Sequence, residues 1–254
     1  MKKLYFPVIL LLMFCLSSCV DIEEHYNFKA DGSCSVVYDF DMSKAVSVLM
    51  NLMSDSVRST PEFGMVKDTS LNFYSALPDT TISKMTVDEV NMAKSSQLNV
   101  NMNLKNNLMK VSLNHEAKNI ADLQYYLEHI SKLSSAGGVN AITKNSKKTT
   151  AFDPQQLISG EDYYIYEITA HKFYRFIDLS KFHAFLKRTS STFAMAKAML
   201  IETPYKLVLN FANPVKKIDN PKAVLSADRR RVILQTSMDD IIKNPASMNL
   251  KIDF

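Results

Sequence analysis

Tryptophan is absent from the 254-residue sequence, and glycine and cysteine are scarce, with five and three residues. So few glycines leave no Gly-rich loop that cradles a nucleotide phosphate. A strong excess of one charge is also missing, because 30 Lys and Arg stand against 26 Asp and Glu, and this balance argues against general nucleic-acid binding. A content of 46% hydrophobic and 22% charged residues is typical of a globular chain and not of a disordered one.

A charged and then apolar leader opens the sequence. Lys2 and Lys3 precede an apolar stretch over 4–16, which is shorter than the about 20 residues of a transmembrane helix. Residues 16–19 read Leu-Ser-Ser-Cys and resemble the bacterial lipobox at all four positions. The sequence therefore predicts a lipoprotein signal peptide over 1–18 and lipid attachment, palmitate included, at Cys19. An ordinary secretory signal with a chance cysteine is the alternative.

Loss of this leader changes both the charge and the cysteine content. Without Lys2 and Lys3, 28 of the 30 basic residues remain against 26 acidic ones. Cys15 leaves with the leader and Cys19 carries the lipid, so Cys34 is the one ordinary thiol and no internal disulfide can form from a free pair.

The acyl chains on Cys19 are expected to hold the protein on a membrane, because each methylene buried in the bilayer contributes roughly 0.8 kcal/mol to membrane binding. We therefore expect a lipid-anchored protein of the bacterial cell envelope, at the outer membrane, on either its periplasmic or its surface face.

A strand follows Cys19 almost at once. Over residues 20–28, Ile22, Tyr26 and Phe28 share one face, which is the alternation of a half-buried strand. The folded domain should therefore lie close to the lipid. The acids at 21, 23 and 24 have two interpretations, the solvated face of an edge strand or an acidic tract similar to those of surface lipoproteins of the Bacteroidota.

The rest of the chain repeats a hairpin followed by an amphipathic helix. The first hairpin turns at 30–33, where Asp and Gly tolerate a positive φ, and Asp41 is predicted to cap the helix that follows. A second hairpin is predicted to turn at Asn106 and Asn107, and Asn119 is predicted to cap the helix that follows it. The remaining predicted strands lie at 35–41, 98–104, 108–113, 163–169, 206–211, 223–226, 232–236 and 248–254. We expect an α+β fold, in which antiparallel hairpins alternate with amphipathic helices packed on the sheet.

The sequence predicts a single α+β domain over residues 19–254, because neither half of this range contains enough strands for a sheet of its own. The polar stretch 134–162 is longer than most loops within a compact domain. It is either a flexible insertion or a seam near 135–161 between two lobes.

Several of these features occur together in known lipoproteins. The lipobox, the Asp-Gly-Ser turn at 31–33, the Asp-Met-Ser-Lys helix start at 41–44 and the Met-Asp-Asp-Ile-Ile run at 238–242 resemble a group of uncharacterised lipoproteins of the Bacteroidota. The layout is also distantly similar to the LppM-like lipoproteins of actinobacteria. This resemblance covers most of the mature chain. It implies an α+β envelope lipoprotein and brings no set of catalytic residues.

Patterns of catalytic or metal-ligating residues are not found. No two of the five histidines are four residues apart on a predicted helix, and no Gly-x-Ser-x-Gly motif occurs. Cys34 lies in the middle of a predicted strand, where a lone cysteine is usually a small buried residue. We therefore expect no enzymatic activity, no cofactor and no metal site.

A ligand-binding surface is predicted in the aromatic stretch 163–185. Most of its rings are expected in the core. The exception is Tyr174, which is predicted to lie between Lys172 and Arg175 in the connection before Asp178. There a ring and two cations can contact an anionic sugar or a lipid headgroup by stacking and charge.

The predicted function is a noncatalytic binding or scaffolding module for an envelope protein, glycan or lipid. One alternative is a carrier or chaperone for a hydrophobic or lipid ligand, which needs an apolar cavity between sheet and helices. The other is a hydrolase whose site is assembled from distant residues.

Overall fold

Two β-sheets form the framework of the computed structural model, which describes residues 20–60, 66–133, 163–198 and 202–254. Cys19 and the predicted seam at 135–161 lie outside the described residues, so both stay predictions. The strands, in chain order, are β1 (Asp21–Phe28), β2 (Cys34–Asp41), β3 (Val66–Asn72), β4 (Ser96–Asn103), β5 (Leu108–Ala117), β6 (Tyr164–Thr169), β7 (Lys172–Ile177), β8 (Pro204–Phe211), β9 (Lys217–Ile218), β10 (Val224–Leu225), β11 (Arg231–Ser237) and β12 (Leu250–Asp253).

Helices follow several of these strands, as the sequence predicts. They are α1 (Ser43–Leu52), α2 (Asp55–Arg58), α3 (Phe73–Ala76), α4 (Asp79–Ile82), α5 (Val87–Lys94), α6 (Ile120–Leu133), α7 (Leu179–Ala198) and α8 (Met238–Lys243). Within the described ranges, no helix combines the length and the apolar character that crossing a bilayer requires. The expected α+β class is confirmed.

The large sheet has the strand order β10-β11-β8-β1-β2-β5-β4-β3. β1 pairs antiparallel with β2 and parallel with β8, so it lies in the interior of the sheet. The interpretation of its acids as the face of an edge strand is therefore wrong. Ile22, Tyr26 and Phe28 are buried as predicted, and Glu24 is buried on the same face.

The two predicted hairpins of the large sheet are confirmed. Gly32 has a φ of 85° between β1 and β2, and the Asp31 carboxylate accepts a hydrogen bond from the Ser33 amide at 3.0 Å. Asn107 takes the left-handed conformation, with a φ of 52°, between β4 and β5. β3, which the sequence pattern does not predict, adds to the outer edge of β4.

The small sheet has the strand order β6-β7-β12-β9. Its first hairpin corrects one expectation, because residues 172–177 form the strand β7 and not an irregular connection. The core lies between the two sheets and is rich in rings. Phe28 and Phe211 of the large sheet stack at 5.1 Å, and Phe254, just after β12, lies 4.3 Å from Phe211.

The predicted helix caps are partly confirmed. The Asn119 side chain accepts a hydrogen bond from the Asp122 amide at 3.0 Å, so it caps α6 as expected. Before α1, however, the capping position is Met42. Asp41 lies one residue earlier, and its carboxylate accepts a hydrogen bond from the Ser43 amide at 3.0 Å.

Candidate functional site

Strand β7 places the three predicted ligand-binding residues on two opposite faces. Lys172 and Tyr174 lie on the outer face, where the Lys172 ammonium is 5.4 Å from the centroid of the Tyr174 ring. The Tyr174 hydroxyl donates a hydrogen bond to Asp253 at 2.8 Å, which raises the pKa of this tyrosine. Lys251 of the neighbouring strand is 6.0 Å from the same ring. The structure therefore brings Lys172 and Tyr174 together and adds Lys251, which the sequence does not predict.

Arg175 does not belong to this surface, and the expectation that it is a surface cation is wrong. Successive side chains of a strand point to opposite faces, so Arg175 points into the core, where it is 0% exposed. Its Nη1 atom donates hydrogen bonds to Glu24 at 2.7 Å and to the Tyr205 hydroxyl at 3.3 Å. The guanidinium also stacks 4.2 Å from the centroid of the Tyr164 ring. Arg175 therefore joins the two sheets and is not accessible to a ligand.

The large sheet carries a groove of about 580 Å³ on its polar face. Two cross-strand rows of side chains line this outer groove. Strand register gives the first row as Asp21, Asp41, Lys110, Asn101 and Asp68, and the second row as Glu23, Asp39, Ser112, Asn99 and Ser70. We call the end of the sheet that holds the first row the anchor end, because the first row begins two residues after Cys19.

Lysines neutralise part of the negative charge of the outer groove. Lys110 lies 2.8 Å from Asp41 and Lys206 lies 3.1 Å from Glu23. Partial burial raises the pKa of Asp41, but the hydrogen bonds from Lys110 and Ser43 outweigh this effect and leave the pKa below its ordinary value. A third, looser pair joins Lys44 to Asp21 at 3.7 Å.

Two further carboxylates of the outer groove, those of Asp39 and Asp68, form no ion pair with the described residues. The groove is therefore an acidic, hydrogen-bonding surface. Within the described part of the chain, no group of three or more His, Cys, Asp and Glu side chains could hold a metal ion. The sequence does not predict the groove, because five strands contribute to it and only their register brings the side chains together.

Cys34 is a core residue, as predicted. Its side chain is buried, and burial raises the pKa of its thiol to about 12. A thiol with this pKa is almost wholly protonated at neutral pH and is a poor nucleophile.

A serine and a histidine are also paired inside the fold. The Ser96 hydroxyl donates a hydrogen bond to the Met92 carbonyl at 2.7 Å, so we assign the proton between the two side chains to Nδ1 of His115, which lies 2.9 Å from Ser96 Oγ. The imidazole stacks 3.7 Å from the Tyr126 ring. Burial lowers the pKa of His115 to about 4. Because the serine proton is held by the backbone and both side chains are buried, this pair presents no nucleophile at the surface.

Comparisons with known proteins are sparse. No family model matches the chain, and no curated protein matches it. Among solved structures, the chain is similar to the folded domain of LppM from Mycobacterium tuberculosis, with a TM-score of 0.36 and 7% identity over 93% of this chain and 89% of that one. A likeness at this level establishes neither a family nor a function.

Proposed function

We propose that this protein is a lipid-anchored lipoprotein of the bacterial envelope, and that it binds another envelope component without catalysing a reaction. The lipobox at 16–19 supports the anchor. β1 begins at Asp21, and two residues of chain span at most about 7 Å. Asp21, at the anchor end of the large sheet, therefore stays within about 7 Å of the lipidated residue, and the domain lies close to the membrane surface.

The outer groove is the observation that carries the binding role. It offers about 580 Å³ of space on a face built from carboxylate, amide and hydroxyl groups. Such a surface accepts hydrogen bonds and attracts positive charge. The partner that fits is an envelope protein with an exposed segment that contains Lys or Arg.

The buried state of the reactive side chains supports a noncatalytic role. Cys34, Ser96 and His115 are each at most 1% exposed, so a substrate cannot reach them without unfolding of the core. The carrier alternative needs an apolar cavity between sheet and helices and has less support, because rings pack there. The Tyr163 ring, just before β6, lies 5.0 Å from Phe182 and 5.1 Å from Phe185 of α7.

Replacement of Cys19 tests the anchor. Cys19→Ala should abolish incorporation of labelled palmitate and leave the leader uncleaved, because the thiol that accepts the diacylglyceryl group is lost. Cys15→Ala is the matched control, since Cys15 lies four residues earlier in the predicted leader, and this variant should be labelled like the wild type. Equal labelling of the Cys19→Ala variant would refute the lipoprotein assignment.

Photo-crosslinking tests the groove. A photoreactive amino acid at Ser70, in the second row of the outer groove, should form a discrete adduct with one envelope protein in intact cells. The same amino acid at Ser190, on the exposed side of α7, is the control and should not. Asp39→Lys combined with Asp68→Lys should remove the adduct, because like charges then face the partner. An adduct that survives this double substitution would show that the groove is not the binding surface.

A further inference from the structure

Exposed apolar side chains are concentrated in one segment of the chain. Three of the seven large ones in the described residues fall between positions 52 and 66, namely Leu52 at 69%, Val57 at 41% and Val66 at 65% exposure. Leu52 ends α1, Val57 lies in α2, and Val66 starts β3. Exposed apolar residues that lie close together are typical of a surface that contacts another molecule or a membrane.

Strand topology attaches both ends of this segment to the anchor end. β2 ends at Asp41, opposite Asp21, so α1 starts from the anchor end of the sheet. β3 begins at Val66, beyond Asp68 of the first row, so the chain also returns at that end. The exposed apolar residues therefore lie in or beside the connection between β2 and β3, and both ends of this connection join the sheet at its anchor end.

The turn between α1 and α2 is held in shape by Arg58. Its Nε and Nη2 atoms donate hydrogen bonds to the Met53 carbonyl at 3.1 and 2.9 Å, and its Nη1 atom lies 3.8 Å from Asp55. Met50 and Val46 are buried on the opposite side of α1. Leu52 and Val57 are thus presented to solvent on an ordered turn whose other side packs against the protein.

The geometry points to a second membrane contact, in which the α1–α2 turn inserts Leu52 and Val57 into the interface of the bilayer that holds the Cys19 lipid. This contact rests on the proposed lipid anchor. The anchor confines the turn to the membrane surface. Insertion of the two apolar side chains into the bilayer interface then costs little further translational entropy. A lipid chain alone lets the domain rotate, whereas two contacts fix one orientation. The outer groove then opens beside the membrane, within reach of partners at its surface.

The absence of tryptophan makes a direct test possible. Leu52→Trp and Val57→Trp each introduce one fluorophore into the full chain, which is processed and lipidated in a bacterial host and reconstituted into phosphatidylethanolamine and phosphatidylglycerol vesicles. We expect the emission maximum to be shifted to the blue relative to that of a solvent-exposed tryptophan. The emission should also be about twofold weaker in vesicles with brominated acyl chains than in vesicles without bromine, because interfacial insertion reaches roughly 5–10 Å into the boundary of the acyl region.

Val224→Trp is the matched control. Val224 is 64% exposed, but its register through β11 and β8 aligns it with His25, four residues and about 13 Å along β1 from Asp21. Its emission should be the same with and without bromine. If the tryptophans at 52 and 57 are as insensitive to bromine as the one at 224, the membrane contact does not exist.

Two other outcomes also overturn the proposal and differ from each other. A blue shift at 52 and 57 without bromine-dependent quenching would show that a protein, either a partner or a second copy of this chain, covers the turn. Failure of the full chain to float with the vesicles would show instead that the lipid anchor is absent, and would overturn the membrane contact together with the proposed function.

Discussion

Arg175 and Glu24 form an ion pair 2.7 Å long in the centre of the protein, and both side chains are 0% exposed. Glu24 belongs to the interior strand β1 of the large sheet, and Arg175 belongs to β7 of the small sheet. The pair therefore crosses the interface between the two sheets. Tyr205 and Tyr164 contact Arg175 through a hydrogen bond and a stacked ring, and the Tyr26 hydroxyl donates a hydrogen bond to Glu24 at 3.3 Å.

Removal of one partner of this pair should be costly. We expect Arg175→Met to lower the free energy of unfolding by about 3–5 kcal/mol, because Glu24 is left as an uncompensated buried charge. Combining it with Glu24→Leu should recover most of this loss. Urea unfolding of the single and double variants measures both effects.

Lys172→Met is the control for the Arg175 substitution, since it changes a cation on the exposed face of the same strand. It should change the free energy of unfolding by less than about 0.5 kcal/mol. If Arg175→Met is equally mild, the buried pair does not hold the two sheets together.

The buried pair also shows where sequence patterns stop being informative. Ile22, Tyr26 and Phe28 lie an even number of residues apart, so their shared buried face is predictable. The same period places Glu24 on that face, but its neighbours Asp21 and Glu23 favour an exposed interpretation. Its partner Arg175 lies 151 residues away in sequence, and a local pattern contains no information about that pairing.

The same difference between local and long-range features separates the turns and caps from the outer groove. Turn residues such as Gly32 and the helix cap Asn119 act on their immediate neighbours, and their predictions are confirmed. Residues 66–72 show little alternation of apolar and polar residues, since Val66 and Leu71 are their apolar members. The sequence therefore gives no clear indication of the strand β3. The outer groove depends on how β1, β2, β5, β4 and β3 are aligned with one another, and only the tertiary structure determines this alignment.

The surface formed by Lys172, Tyr174 and Lys251 remains a predicted site for an anionic sugar or lipid headgroup. Lys172→Ala combined with Tyr174→Ala should weaken binding to vesicles that contain phosphatidylglycerol, because one cation and its stacked ring are lost. The free energy of unfolding should fall by only about 1 kcal/mol, since the main lost contact is the hydrogen bond to Asp253.

Equal vesicle binding by this double variant and the wild type, measured with chains that begin at Val20 and therefore lack both the leader and the lipid anchor, would show that the surface has no such ligand. Arg175 is left intact, so that any loss of binding does not arise from damage to the core.

Cys34 should react slowly with a thiol reagent in the native protein. Its side chain is buried and its pKa is raised to about 12, so neither access nor the thiolate form is available at neutral pH. Stoichiometric labelling should appear only when denaturant is added. Rapid labelling without denaturant would place Cys34 at the surface and reopen a nucleophilic role.

Acid should destabilise the protein through His115. Burial lowers the pKa of this histidine from 6.5 to about 4, so the unfolded chain binds a proton that the folded chain rejects between these two pH values. The free energy of unfolding is therefore independent of His115 above pH 6.5. It falls by about 1.4 kcal/mol per pH unit as the pH drops towards 4, with a total loss of about 3 kcal/mol.

The pH dependence of urea unfolding in the wild type and in His115→Gln isolates this contribution. Carboxylates also titrate near pH 4, but they are common to both proteins, so the difference between the two curves reports His115 alone. The variant should lose less stability than the wild type between pH 6.5 and 4. His183→Gln is the control, because His183 is exposed on α7 and its replacement should leave the slope unchanged. Parallel curves for the wild type and His115→Gln would mean that His115 accepts its proton in the folded state.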